Sequence, residues 1–347
     1  MYFRDRRDCL QGAEMTVTHG GNIFELARRR GCDWRDIIDF SASINPLGPA
    51  PGVHQAIVGA INRIVHYPER EPAELKEVLA AKWCVDNDQI LLGNGATELI
   101  YFLARTFRGL DACLRVPVFS EFHRAFPDAR LVESQHPDDW PTTGLIVLTR
   151  PENPTGLLLD AGRLTKWLAG TEHAVIVDES FIEFSGAASL VSMIEQRPNL
   201  IVLRSLTKFY ALPGLRVGAL ITSKNLIQQW QAHREPWQVN VLASAAAVAA
   251  LRDDDHAAKS VAFIESERKW LHSECRRLTG TSVARSHANF IHIGLEYPAA
   301  SLKEHLFAQN ISIRDCSGWL GVPGESVRIA VRTRRENMQL LDAWRKF

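Results

Sequence analysis

LIVLRSLTKFYALPGLRVGALIT (residues 200–222) contains two apolar runs, LIVLR (200–204) and VGALIT (217–222), joined by a polar loop with a single lysine. Runs this short and this apolar on both faces are expected of strands inside a sheet covered on both sides. The loop gives Lys208 two hydroxyl neighbours, Ser205 and Thr207, then a Pro-Gly turn and Arg216. A lysine held in a mostly buried segment after such a strand is desolvated, which lowers its pKa and frees its lone pair. Lysine in general is a surface residue, so the loop alone leaves Lys208 as either a solvated charge or a nucleophilic amine.

Further apolar runs lie upstream: QILLG (89–93), CLRVP (113–117), LIVLTR (145–150) and AVIVDE (174–179). Helical patterns such as ATELIYFLARTF (96–107) and AGRLTKWLA (161–169) separate them. That alternation predicts an α/β fold with a mostly parallel central sheet. One long helical stretch is expected over 240–275. After it, ANFIHI, a helix at 300–309, ISIRDC, SVRIAVR and a closing helix predict a smaller α+β C-terminal domain. The expected division is an N-terminal arm with part of the small domain at 1–52, a large domain at 53–250 and the small domain at 251–347. A cleft between two such domains is a common place for a small-molecule site.

The chain of 347 residues is long enough for this, and its 46% hydrophobic and 23% charged residues are ordinary for a globular protein. Forty basic residues balance forty acidic ones, which argues against nucleic acid or an anionic membrane as the main partner. Six cysteines show no CxxC pair and no metal-ligand spacing, so reduced thiols in a cytoplasmic protein and no metal centre are expected. MYFRDRRDCLQGAE (1–14) lacks an apolar signal core and carries Asp5 and Asp8, and Met15 is an alternative start. No uncharged apolar run reaches the roughly 18 residues of a membrane span.

Open α/β sheets bind ligands at the C-terminal ends of their strands, and four of these ends hold polar clusters. GNGATE (93–98) opens a helix, where small residues and free backbone N–H groups at the helix N-terminus, with the Thr97 hydroxyl, suit a phosphate. It lacks the lysine and spacing of a nucleoside-triphosphate loop. RPENPTG (150–156) frames Asn153 between two prolines, and VIVDES (175–180) ends a strand in Asp178. A carboxylate there is costly to bury unless it meets a cation. Alone, each segment reads equally well as turn or ion-pair chemistry. Together with Lys208 they supply what pyridoxal 5'-phosphate requires: phosphate contacts, an amide for the phenolic oxygen, a carboxylate for the ring nitrogen and a Schiff-base lysine.

In this order the segments resemble the fold-type I, aspartate-aminotransferase-like enzymes that use pyridoxal phosphate. Within that family the chain is most similar to the branch of L-threonine-O-3-phosphate decarboxylases of cobalamin biosynthesis, relatives of the histidinol-phosphate aminotransferases. HGGNI (19–23), DFSASINPLG (39–48), HYPE (66–69), PVFSEF (117–122), VDESFIEF (177–184), PWQVN (236–240), ISIRDC and VRIAVRT (327–333) also carry the resemblance. It implies Lys208 as the covalent amine, with Gly95, Ala96, Thr97, Ser205, Thr207 and Arg216 around the cofactor phosphate. It further implies Phe119 stacked on the ring, Asn153 on the phenolic oxygen and Asp178 on the ring nitrogen. Tyr67 would reach the cofactor of a neighbouring subunit in a homodimer. Arg328, with His19, Asn45, Arg314 and Arg332, would contact a small phosphorylated amino-acid substrate.

Decarboxylation and transamination share this machinery. They differ in which bond to the α-carbon stands perpendicular to the cofactor ring. Three features of the resemblance favour decarboxylation. Phe181 stands where histidinol-phosphate aminotransferases typically carry a tyrosine, Arg332 stands where they usually show glycine, and the segments HGGNI and FSASINPLG match the decarboxylase branch. The Ala of GNGATE departs from the GNGETE of that branch while still offering its backbone N–H.

Overall fold

The structure, a computed structural model, describes residues 19–134, 136–141 and 144–347. The expectation for residues 1–14 lies outside the described residues. The chain begins with α1 (Ile23–Arg30), β1 (Ile38–Asp39), α2 (Gly52–Ala60), α3 (Ala73–Trp83), β2 (Ile90–Gly93) and α4 (Gly95–Thr106). It continues through β3 (Ala112–Arg115), α5 (Ser120–Ala125), β4 (Arg130–Val132), β5 (Leu145–Thr149), α6 (Ala161–Ala169) and β6 (Ala174–Asp178). Then come β7 (Leu200–Ser205), β8 (Gly218–Ile221), α7 (Lys224–Gln231), α8 (Val241–Leu251) and α9 (Asp254–Cys275). The last part holds β9 (Thr281–Val283), β10 (Phe290–Leu295), α10 (Ala299–Phe307), β11 (Ile311–Ser312), β12 (Arg314–Asp315), β13 (Glu325–Ala330) and α11 (Arg334–Trp344).

Seven strands form the central sheet in the order β2-β8-β7-β6-β5-β3-β4. The neighbours β7-β6-β5-β3-β4 run parallel, while β8 is antiparallel to both β7 and β2. Alternate residues of β6 feed two separate cores, with Val175 and Val177 in one and Ile176 in the other. A strand's period of two produces this split, and helices on both faces explain why polar positions are missing. A smaller antiparallel sheet has the order β12-β13-β10-β9. β1 pairs in parallel with β11, Ile38 facing Ile311, so the N-terminal segment joins the C-terminal part of the chain.

The long helix expected over 240–275 is two helices. Asp253 caps α9 by accepting the His256 N–H at 2.8 Å, and this local bond competes with continuing α8. ISIRDC likewise divides, since β11 pairs with β1 and β12 with β13. β4 escapes the apolar pattern because it is a short edge strand whose residues are not buried.

Gly218 sits in register between Ser205 of β7 and Gly93 of β2. A Cβ at this position would lie 2.7 Å from the Ala96 nitrogen and 2.9 Å from the Gly95 carbonyl carbon. Its missing side chain lets the first turn of α4 lie directly on the sheet. Gly218→Ala is therefore expected to destabilise the fold by about 1–3 kcal/mol. Denaturant melts would read this as a lower midpoint at unchanged slope.

Candidate active site

The C-terminal ends of β5, β6 and β7 lie side by side, with Thr149 in register with Asp178, and Asp178 with Leu203. Asp178 is buried, and its Oδ1 accepts the Ser180 N–H at 2.9 Å. Burial pushes its pKa up to about 6, against the pull of that hydrogen bond and of Lys208. Lys208 follows β7, and burial pushes its amine down to about 8, helped by the Arg328 and Arg216 cations and opposed by Asp178. The sequence pattern anticipated this desolvated amine.

A second cluster surrounds the first turn of α4. Gly95 has φ +77°, a conformation glycine adopts readily, and a Cβ there would stand 2.4 Å from Arg216 Nη2. The Arg216 guanidinium thus lies directly over the helix N-terminus. Arg216 itself has φ +56°, and its Nη1 donates to the Pro213 carbonyl at 3.3 Å. Holding an arginine in the left-handed region is a strain that functional sites often retain. The buried hydroxyls of Ser205 and Thr207 are 2.7 Å apart on the neighbouring loop. A helix N-terminus, two hydroxyls and a guanidinium compose an anion cradle. Ala96 and Thr97 lie in that first turn.

Asn153 and Arg328 are joined across the site. The Arg328 guanidinium donates to Asn153 Oδ1 and, at 3.1 Å, to the Ser41 carbonyl. Because a guanidinium only donates, the Asn153 oxygen faces it, and the amide N–H groups are left for another acceptor. Among the described residues, Arg328 Nε is buried without a partner. Arg328 also lies 4.9 Å from the Phe290 ring centre, and Phe181 packs edge-on against that ring at 5.0 Å. Arg314 stands directly opposite Arg328 in the β12–β13 register. It is buried beneath the Trp319 ring, and no carboxylate pairs with it among the described residues. Two cross-strand arginines repel each other, so their survival side by side points to an anion between them.

Phe119 precedes α5, and His19 lies against it with ring centres 5.9 Å apart. Tyr67 is not part of this cluster. It is 79% exposed and stacks on the exposed Trp237 at 4.5 Å. Two other expected substrate contacts are occupied by the protein. Asn45 donates to the Phe209 carbonyl and Ser260 Oγ, accepts from Leu47, and uses its own N–H to hold the Lys208 carbonyl at 3.1 Å. Arg332 donates to the Asp39 carbonyl at 3.0 Å and pairs with Glu336 at 2.7 Å. Asn45 thus secures the backbone of the lysine loop, and Arg332 ties β1 to α11.

Sequence reading missed Ser41, Phe290, Trp319 and Glu121 as parts of this site. Ser41, Phe290 and Glu121 lay inside quoted segments, but only their tertiary partners reveal a role. Trp319 reaches across to donate to the Val118 carbonyl at 2.8 Å, which no local pattern announces.

The family described as Aminotransferase class I and II matches residues 35–343. The chain belongs to it. The threonine-phosphate decarboxylase of Salmonella typhimurium is 32% identical, covering 94% of this chain and 95% of that protein. The histidinol-phosphate aminotransferase of Methanothermobacter thermautotrophicus is 30% identical, covering 93% and 92%. The adenosylcobalamin biosynthesis bifunctional protein CobDQ of Leptospira interrogans is also 30% identical; the match covers 94% of this chain but 40% of that longer protein. Among solved structures, the L-threonine-O-3-phosphate decarboxylase of Porphyromonas gingivalis superposes with a TM-score of 0.82 at 27% identity, covering 88% of this chain and 98% of the other. The histidinol-phosphate aminotransferase of Sinorhizobium meliloti in complex with pyridoxal-5'-phosphate has a similar fold, with a TM-score of 0.83 at 21% identity over 95% of each chain.

The cofactor of this family is pyridoxal 5'-phosphate, and the residues present fit it. The space over Gly95 that a Cβ would fill, the Arg216 cation and the two hydroxyls suit its phosphate. Lys208 suits its aldehyde, and Asp178 suits its ring nitrogen. A protonated amine has no lone pair, so cofactor attachment to the apoprotein is expected to accelerate as pH rises through about 8 and to level off above it. Stopped-flow absorbance would follow this. Removing the Arg328 cation with Arg328→Met should move that midpoint to higher pH, because the cation is part of what holds it down.

Proposed function

We propose that this enzyme decarboxylates L-threonine O-3-phosphate to (R)-1-amino-2-propanol O-2-phosphate and CO2, in cobalamin biosynthesis. Bound pyridoxal phosphate supplies an electron sink for the pair left on the α-carbon. Lys208 would hold the cofactor, and it or a water would return a proton to the α-carbon once CO2 has left. Asp178, ionised beside the ring nitrogen, would keep that nitrogen protonated. Asn153, turned by Arg328, would donate to the phenolic oxygen. Gly95, Ala96, Thr97, Ser205, Thr207 and Arg216 would hold the cofactor phosphate, and Phe119 would cover the ring.

Arg314 and Arg328 suit a substrate phosphate, because guanidinium forks bind such groups in a bidentate manner. Anchoring the substrate by its phosphate leaves the α-carboxylate free to stand perpendicular to the ring. Phe181 carries the choice of reaction. Phe181 packs its hydrocarbon ring on Phe290, and by the resemblance this is the position where the aminotransferase branch carries a hydroxyl near the cofactor oxygen. Arg332, engaged by Glu336 and Asp39, gives the choice no support.

A homodimer belongs to the same reading. Tyr67 and Trp237, stacked on each other, and Val58, Ile64 and Val65, close to Tyr67 in the chain, are large apolar side chains left exposed. Such a patch suits a second copy, with Tyr67 reaching its cofactor. Among the described residues no helix is long and apolar enough to cross a membrane.

The test is a product assay with pyridoxal phosphate and L-threonine O-3-phosphate, followed for CO2, beside a parallel assay with 2-oxoglutarate followed for glutamate. Catalytic CO2 without glutamate supports the decarboxylase. Glutamate from histidinol phosphate, with no CO2 from phosphothreonine, would establish the aminotransferase instead.

A further inference from the structure

Glu121 is a buried carboxylate on α5, two residues beyond the ring-covering Phe119. Three donors converge on it: Tyr101 Oη at 2.8 Å, Arg124 Nη1 at 3.2 Å and His19 Nε2 at 2.8 Å. Tyr101 and Arg124 come from α4 and α5, the elements that frame the cofactor side of the site. His19 comes from the far N-terminal segment and is otherwise 44% exposed. A half-exposed imidazole held by a buried carboxylate has lost rotational freedom that the segment alone would not take from it.

The same segment is fastened at a second point. The Gly21 N–H donates to Ser41 Oγ at 2.9 Å, and a Cβ on Gly20 would stand 2.3 Å from the Ser41 carbonyl oxygen. That carbonyl is the one that accepts from Arg328. Residues 19–21 therefore run as a strap from the arginine side of the site to the Phe119 side. Its glycines permit the close approach at one end, and Glu121 secures the other. With Nε2 taken by Glu121, the imidazole has Nδ1 left to face a ligand.

We propose that Glu121 is a positioning residue: it holds His19 against Phe119 so that the imidazole completes, with Arg314 and Arg328, the anchor for the substrate phosphate. The role is specificity for a phosphorylated amino acid over its unphosphorylated counterpart. It rests on the reading above that the substrate carries a phosphate. Tyr101 and Arg124 keep the carboxylate in place, and the acidity of Glu121 agrees with this. Burial pushes its pKa up, but the Tyr101 hydrogen bond and the His19 and Arg124 charges bring it below the usual value.

The experiment is a double-mutant cycle on the holoenzyme, using Glu121→Gln, His19→Ala and the pair, with L-threonine O-3-phosphate and L-threonine as substrates. Each single substitution is expected to raise KM for the phosphorylated substrate about tenfold with kcat nearly unchanged, and the pair should do no more than either alone. KM for L-threonine should not move. Additive losses, or equal losses on both substrates, would overturn the proposal. Glu121→Asp retains the charge and draws it back from His19, so it serves if the glutamine variant does not fold and should show the same selective KM effect. Should the wild type turn over histidinol phosphate and not phosphothreonine, the decarboxylase reading fails. The cycle is then run with histidinol phosphate and still decides the coupling, because that substrate also carries a phosphate.

Discussion

Lys208→Ala is expected to lose at least about a thousandfold in kcat, the largest effect of any single substitution in this protein. The physical reason is the placement of the amine. It stands beyond a fully buried strand, where burial, aided by two guanidinium groups and opposed by a carboxylate, brings it down to about pKa 8. On the proposed reading a small apolar side chain removes both the covalent attachment and a proton carrier at the α-carbon, while the anion cradle around Gly95 and Arg216 is untouched. The variant should therefore still bind pyridoxal phosphate, yet borohydride should fix no cofactor to the polypeptide. Recovery of a reduced cofactor adduct on another lysine would show that Lys208 is not the covalent amine.

The second large effect belongs to Asp178. Asp178→Asn keeps the shape and the N–H acceptor for Ser180 but removes the charge proposed to face the ring nitrogen. Losing one such preorganised electrostatic contact lowers kcat by about a hundred- to a thousandfold. KM should change little, because the proposed substrate anchors lie elsewhere. Stability moves the other way. Burial raises the folded-state pKa of Asp178 to about 6 from the ordinary 3.8, so ionisation is disfavoured in the folded apoprotein. That penalty is complete above pH 6 and vanishes below 3.8. Apo-Asp178→Asn should accordingly melt at or above the wild type at pH 7 in scanning calorimetry. Parallel loss of kcat and of melting temperature would assign Asp178 a structural part only.

Much of the fold was legible because its signals are local. Continuous apolar runs such as AVIV (174–177) and LIVL (200–203) are buried along almost their whole length. Where local signals compete, the reading slipped. The Asp253 cap cuts the expected long helix in two, and the short edge strand β4 carries no apolar run at all. The lysine loop, the strand-end Asp178 and Asn153 in the loop after β5 were singled out for the same reason. A strand end places its residue at the sheet edge whatever the rest of the chain does.

The arginines mark where that ended. Arg314, Arg328 and Arg332 are the same chemical group in neighbouring segments, and all three were candidates for the substrate. Only tertiary structure separates them. Arg332 is taken by the carbonyl of Asp39, 293 positions away, and by Glu336. Arg328 spans to Ser41 and Asn153, 287 and 175 positions away. Arg314 is left buried with no carboxylate of its own among the described residues. The sequence by itself determined the sheet and the polar residues gathered near its strand ends, because each depends on neighbours within a few residues. Which cations are free to meet a substrate depends on partners brought in from the far end of the chain, and folding alone supplies them.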